Sequence, residues 1–331
     1  MSGPEPSSRR LVRVSPNDDP GLRRVRSGSG FRYLAPDGSS ASRRDRERIR
    51  ALVIPPAWTD VWIATDPLAH IQAVGTDAAG RRQYLYHPRW RQRRDRGKYA
   101  RALALAESLP SARRRVTVAL RSTGLDKDRV LAVAFRLLDS AAPRVGSSRY
   151  LERHGSRGLT TLQRGDATVE ASVVTLSFPA KSGQHARLEI DDSDLAAAIA
   201  DLAVGNPRSP LLSYLDGRRR VALTPAEVNA HVHALTGGPF TAKDFRTLRG
   251  TILAAQTLAR IGPAATPADR SQAARLAARA TADALGNTVA VARASYIDPR
   301  IFTRYARGEL LDLTVAPETA IRRLLAGAAT R

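Results

Sequence analysis

The sequence predicts an α+β protein of two domains: an antiparallel, β-rich domain first, then a larger, mostly helical one that carries a small three-stranded sheet. Three observations predict it. Within residues 28–90 lie short segments rich in β-branched and aromatic residues, FRYLA (31–35), VWIAT (61–65), HIQAVGTD (70–77) and RQYLYH (82–87), parted by turn signals such as PDG at 36–38 and DAAG at 77–80. Beyond residue 90, apolar residues recur at helical spacing over 126–142, 147–154, 192–204, 224–236, 241–261, 267–285 and 298–307. One island, 158–190, breaks that spacing and alternates and turns as three strands would. A chain of 331 residues with 43% hydrophobic content can bury more than one core.

In chain order, residues 1–27 are polar, Pro/Gly/Ser-rich and basic, and are expected to form a flexible basic arm. SRRDRERIRAL (42–52) starts at a plausible N-cap and stops before Pro55 and Pro56, so a helix is expected between the first two strands. The β-rich domain spans 28–90. From Pro88, PRWRQRRDRGKYARALALAESLP is basic and helix-favouring and leads into the second domain, 91–331; its arginines, Arg94 and Arg96 among them, suit phosphates. In the island, Lys181 sits at the tight turn PAKSGQ before the last strand. The Ala-rich stretch 267–285 reads as a packed helix.

Composition narrows the partners. A net charge of +22 and an isoelectric point near 11.4 make a polyanion, nucleic acid above all, the first partner to consider. Of 53 Lys and Arg residues only Lys98, Lys127, Lys181 and Lys243 are lysine, leaving 49 arginines. A guanidinium stays protonated where an ammonium can give up its proton, so a lysine in such a background suits proton transfer, although drift explains the pattern equally well. Zero cysteines remove disulfides, thiolate metal sites and thiol nucleophiles together, and fit a reducing compartment. Lacking an apolar N-terminal h-region or a run of about 18 apolar residues, the chain is expected to remain cytoplasmic and to have no membrane partner. GTDAAGRR (75–82) lacks the Lys-Ser/Thr ending of a Walker A loop, and no carboxylate cluster suited to magnesium stands out. His231 and His233, two apart on a predicted helix, point to different faces and read as surface or core histidines rather than metal ligands.

The chemistry concentrates in two stretches. TAKDFRT (241–247) places Thr241 at an N-cap and Asp244 three residues later, a capping box that fixes where the helix begins. Lys243 and Arg246 then share its first turn, where free backbone N–H groups and the dipole already favour an anion, although a basic helix start facing water reads the same way. LGNTVAVARASYIDP (285–299) contains Tyr296. A phenol with an ordinary pKa near 10 is a weak nucleophile that needs cationic surroundings, and a phosphoryl transition state needs charge stabilisation on its equatorial oxygens.

An ordered set of motifs, IPPAW (54–58), QYLYHP (83–88), PRVG (143–146), YLERHGSRGLTTL (150–162), FPAKSG (178–183), TAKDFRT and LGNTVAVARASYIDP, resembles the small type IB DNA topoisomerases of bacteria and poxviruses. The resemblance runs from about Gly28 to Leu311. It implies a two-domain clamp around double-stranded DNA, needing neither ATP nor metal nor other cofactor and taking no small-molecule substrate. It also implies that Tyr296 is the nucleophile, that Arg144 and Arg246 clasp the scissile phosphate, and that Lys181 is a general acid toward the 5′-oxygen. Lys243 looks like the additional basic residue on the Arg246 helix. Asn287 stands where many members have histidine; an amide can donate a hydrogen bond to a phosphoryl oxygen but brings no charge. Gln83, Tyr84 and Tyr86 match positions that face the major groove, although as a bare strand motif the tyrosines fit core packing equally well. Tyr150 matches a DNA-contacting position. Ser147 stands where poxvirus relatives have a basic residue, which implies low site preference.

The chain is therefore expected to act as a monomer at the nucleoid, relaxing supercoils through a 3′-phosphotyrosyl intermediate. Two other readings remain open at this point. A tyrosine recombinase shares the chemistry but typically shows His-x-x-Arg where this chain has Lys243 and Arg246. A non-catalytic architectural protein would bind through charge alone.

Overall fold

The computed structural model describes residues 10–326, which form two compact units divided between Gly97 and Lys98. The first unit is built on a five-stranded antiparallel sheet of order β2-β1-β3-β4-β5. Its strands are β1 (Gly21–Ser27), β2 (Gly30–Leu34), β3 (Thr59–Ala64), β4 (Ile71–Thr76) and β5 (Arg82–Tyr86), with helix α1 (Arg43–Ala51) between β2 and β3. The hydroxyl of Ser42 caps α1 by accepting from Asp45 N–H at 3.1 Å. Leu22, Ala41, Ile49, Val61, Ile63 and Ala73 form the core, with Trp58 and Leu85 packed against it.

Strand β1 corrects the expected arm. Ser27 pairs with Gly30, and Gly28, at φ +57°, turns the chain between them, so the Gly/Ser run is a hairpin tip and residues 21–27 are a strand and not part of a flexible arm. Leu22 is buried, and the guanidinium of Arg24 reaches back to the carbonyls of Pro55 and Trp58 in IPPAW. Upstream, Val12 N–H donates to Leu68 O at 3.0 Å and His70 N–H to Val12 O at 2.8 Å. The remainder of the expected arm, residues 1–9, lies outside the described residues.

Helix α2 (Pro88–Leu120) runs for 33 residues. The helix passes through Pro110. Leu105, Leu109, Ala112, Val116 and Leu120 keep one buried stripe on both sides of the proline, and that burial outweighs the lost backbone bond.

In the second unit, helix α3 (Lys127–Ala141) is buried along most of its length, with Phe135 edge-on to Phe245 at 5.3 Å. After it come α4 (Ser148–His154) and the antiparallel sheet β6 (Ala167–Glu170), β7 (Val173–Pro179) and β8 (His185–Asp191), in order β6-β7-β8. Then follow α5 (Ser193–Ala203), the hairpin β9 (Ser213–Asp216) and β10 (Arg219–Ala222), and helices α6 (Pro225–Thr236), α7 (Ala242–Ile261), α8 (Pro267–Leu285), α9 (Val289–Ser295), α10 (Arg300–Ala306) and α11 (Pro317–Ala326). Ala273, Ala277, Ala278 and Ala282 give α8 a small-residue face, and Thr281 Oγ1 reaches Gly250 O of α7 at 3.4 Å, so the two helices lie close. Among the described residues no helix is long and apolar enough to cross a membrane.

Candidate active site

The first turn of α7 sets one wall. The carboxylate of Asp244 accepts the Thr241 N–H and hydroxyl, both at 2.9 Å, and Arg101 Nε at 3.3 Å, so the start of the helix is fixed as the capping box predicted. This leaves Lys243 exposed and turns Arg246 inward, where it is 5% exposed. Arg246 Nη1 donates to Ala142 O at the end of α3, and Nη2 to Leu285 O at the end of α8, each at 2.7 Å. Both acceptors are helix-terminal carbonyls carrying the negative end of a helix dipole, which is a natural seat for a buried cation. Arg246 Nε is buried and finds no acceptor in the protein.

Tyr296 closes α9. Its N–H donates to Ala292 O at 2.9 Å, and its carbonyl accepts from Thr251 Oγ1 at 3.2 Å. The same Thr251 oxygen accepts the Asp298 N–H at 3.1 Å. A Cβ added to Gly250 would lie 2.7 Å from Tyr296 O and 3.0 Å from Tyr296 Cβ, so α7 can approach this closely only with glycine there. Asp298, buried, grips the Arg300 side chain at 2.7 Å and the Arg300 N–H at 2.9 Å, holding the turn that follows.

Arg144 projects from the loop between α3 and α4. That loop is strapped to residues 158–160: Arg144 O accepts Leu159 N–H at 2.8 Å, and Val145 O accepts Thr160 N–H at 2.9 Å. A Cβ on Gly158 would fall 2.6 Å from Arg144 O, which explains the glycine. Lys181 stands exposed on a single 3₁₀ turn between β7 and β8, its Nζ 5.8 Å from the Tyr150 ring.

These side chains converge. Arg144, Tyr150, Lys181, Lys243, Arg246 and Tyr296 line a single open cavity of about 380 Å³, together with Ser147 and Arg157. The Arg246 guanidinium lies 4.9 Å from the centre of the Tyr296 ring. Burial, with Tyr296 only 8% exposed, works to raise its pKa; Arg246, by charge and hydrogen bond, then Arg144 and Lys243, outweigh it and hold the phenol below its ordinary value. Arg246 is itself pushed down by burial and by Arg144 and pulled up by Tyr296, and a guanidinium in that position stays charged.

Asn287 does not line this cavity. Its Oδ1 accepts from Arg144 Nη2, its Nδ2 donates to Leu285 O at 3.3 Å, and it faces a second cavity of about 610 Å³ that shares Arg144, Arg157 and Arg246 with the first. Arg157 is the site residue that sequence reasoning passed over. The motif YLERHGSRGLTTL contained it, but among so many arginines nothing singled it out.

In the first unit, Tyr84 and Tyr86 stack at 6.0 Å with a 15° interplanar angle, on the face opposite Leu85. Tyr84 is 39% exposed, so the strand presents it to the surface and not to the core. Arg94 lies 5.6 Å from the Tyr86 ring and, like Arg96, is exposed; Gln83 Nε2 donates to Asp77 Oδ2 at 2.9 Å. The GTDAAGRR segment is the β4–β5 turn, where hydrogen bonds led by Arg81 N–H hold the Asp77 carboxyl at about 2. His231 and His233 stay apart from the cavity, with His231 Nε2 buried and unpartnered.

A phenol ringed by fixed cations on a helical scaffold, in a chain with this excess of positive charge, defines a protein that handles phosphodiesters. Comparison with known proteins narrows that class. Residues 87–306 match the family described as the catalytic core of eukaryotic DNA topoisomerase I, and residues 30–77 match the N-terminal domain of bacterial DNA topoisomerase IB. A DNA topoisomerase 1B from Acanthamoeba polyphaga mimivirus is 31% identical over 286 residues, covering 84% of this chain and 85% of that one. The chain belongs to the type IB DNA topoisomerase family. More distantly, the XerH site-specific recombinase bound to difH substrate is 13% identical with a TM-score of 0.35, covering 58% of this chain and 51% of that one.

Proposed function

We propose that this type IB DNA topoisomerase relaxes supercoiled duplex DNA with Tyr296 as the nucleophile. The convergence of Tyr296 with Arg144, Lys181, Lys243 and Arg246 in one cavity is the observation that carries this reading. The phenol gives its proton to water and Tyr296 Oη attacks the phosphorus. As the Oη–P bond forms the P–O5′ bond breaks, and Lys181 Nζ hands a proton to the departing O5′. Arg246, pinned by two helix-end carbonyls, and Arg144 on its strapped loop offer charge to the non-bridging oxygens without having to reorganise. The phosphotyrosyl ester on the 3′ side conserves the bond, so that the freed 5′-hydroxyl reseals the nick after the duplex has swivelled, without ATP.

In this reading the β-rich unit presents Tyr84 and Tyr86 to the major groove, and Arg94 and Arg96 meet phosphates, so that the two units act together as a clamp; Gln83, two residues from Leu85 and bound to Asp77, lies on the other face of the strand and is not placed with them. Tyr150 contacts the duplex beside Lys181. The protein works as a monomer at the nucleoid. Asn287, with its oxygen engaged by Arg144, supports that arginine from behind the cavity.

Incubation with supercoiled plasmid in EDTA without ATP is the test. Ladders of relaxed topoisomers, with a denaturant-trapped adduct on the 3′ end of the cleaved strand, are expected; an unchanged plasmid would sink the reading. A strand-exchange assay on paired sites separates it from recombination, which is expected to give no product.

A further inference from the structure

We propose that Arg157 is a positioning residue for the Lys181 turn, an inference that rests on Lys181 being the general acid of the reaction. The register of the small sheet shows why the turn needs one. Strand β6 pairs only with Val173–Leu176 of β7, as Ala167↔Leu176 through Glu170↔Val173. Ser177, Phe178 and Pro179 therefore extend past β6 with only β8 beside them. Phe178 is buried and anchors the strand at that point. After it the chain turns through residues 180–184, closed by Ala180 N–H to Gln184 O at 2.7 Å, and Lys181 stands exposed at the tip.

The overhang is tied down from the side. Arg157 N–H donates to Pro179 O at 2.7 Å, two residues before Lys181. What holds Arg157 in turn is its own side chain: Nη1 donates to Gln163 Oε1 at 2.9 Å and Nη2 to Asp166 Oδ1 at 2.8 Å. Asp166 is 6% exposed, and its other oxygen accepts the Gln163 N–H at 2.8 Å, so the anchor belongs to the body of the unit. A path of hydrogen bonds thus runs from a buried carboxylate through the Arg157 fork and backbone to the strand end that carries the acid. Packing alone does not explain Arg157, since its Nε is buried without an acceptor, an arrangement that costs stability. Arg157 also lines the cavity with Lys181 and Tyr296. A proton donor displaced by about an ångström loses most of its effect on the leaving group, whereas nucleophile and phosphate clasp would be unaffected.

The test compares single-turnover cleavage of a duplex with an ordinary 5′-oxygen at the scissile bond against one with a 5′-thiol leaving group, which departs without a proton. For Arg157→Gln the expectation is slowing of roughly 10- to 100-fold on the oxygen substrate and under about 3-fold on the thiol substrate, with DNA affinity unchanged. Lys181→Ala should show the same selective rescue, and Lys181→Ala combined with Arg157→Gln should be no slower on oxygen than Lys181→Ala alone, since both act on one step. Arg157→Lys keeps the charge but cannot grip Asp166 and Gln163 together, and Asp166→Asn weakens the anchor; both should give the same signature should Arg157→Gln fail to fold. Equal slowing on both substrates would overturn the proposal. Rescue of Lys181→Ala without rescue of the Arg157 and Asp166 variants would overturn it while leaving Lys181 in its role. Absence of rescue for Lys181→Ala itself would remove both.

Discussion

On the helical side of the cavity, Arg246 is buried, its two Nη groups engaged by the carbonyl ends of α3 and α8, and Tyr296 beside it is fixed through its own N–H and carbonyl. On the hairpin side, Lys181 stands exposed on a turn that overhangs its sheet. The contrast fits the work that the proposed reaction gives each side. Charge that steadies a transition state acts best when it is already in place and cannot relax. A proton donor must instead reach a leaving oxygen that is there only once DNA has entered, which favours an exposed position.

Tyr296→Phe gives the largest expected effect: complete loss of the covalent adduct and of plasmid relaxation, with duplex binding in a gel-shift assay largely kept. Residual relaxation would move the nucleophile elsewhere. Next come Arg246→Ala and Arg144→Ala, each expected to slow single-turnover cleavage by roughly 10²-fold or more. They should part company in stability. Arg246→Ala strips partners from Ala142 O and Leu285 O inside the protein and should cost about 1–3 kcal/mol in denaturant unfolding, clearly more than Arg144→Ala. Equal losses would break the distinction between a buried and a half-buried cation.

Gly250→Ala should destabilise by about 1–3 kcal/mol and slow cleavage without touching any cation, because the new methyl meets Tyr296 O at 2.7 Å. A silent variant would mean that the nucleophile does not need the close approach of α7. Smallest is Lys243→Ala. Attack needs the phenolate, and a phenol held below its ordinary pKa is more ionised near neutrality; Lys243 is the weakest of the three cations that lower it. Its removal lets the pKa climb, so the rising limb of the pH–rate profile should move to higher pH and the rate near pH 7 should fall. An unmoved limb would leave the depression to Arg246 and Arg144 alone.

Much of this arrangement was legible in the residues. Ser42 and Thr241 marked helix starts, Ser42 by accepting the Asp45 N–H and Thr241 through the Asp244 carboxylate of its capping box. The motif set placed Tyr296, Arg144, Lys181, Lys243, Arg246 and Tyr150 in one reading, and the fold brings them to one cavity. Other features were hidden for stated reasons. Strand β1 was masked by its arginines and by the Gly/Ser tip beside it, which together read as a flexible arm. The β9–β10 hairpin had its signal in Asp216-Gly217, flanked by SYL and RRV, but sat between stretches already read as helical. Whether Tyr84 faces core or solvent depends on strand register, and that is set by the pairing of Val74 with Tyr84 in three dimensions. Asn287 turning to Arg144, and the Arg157 anchor, are choices between neighbouring polar atoms, which spacing along a chain does not encode.

As the proposed nucleophile, Tyr296 would hold one end of a nicked duplex while the other end spins, and would also bear the twisting force released from the supercoil. The bonds around Tyr296 run on both sides: N–H to Ala292 in its own helix, carbonyl to Thr251, and the next turn through Asp298 to the same Thr251. Torque applied at the phenol would therefore pass into α7, a helix of 20 residues rooted in the core, and not into the short α9 alone. Thr251, which ties both segments, would then serve as a mechanical mooring for the held strand end.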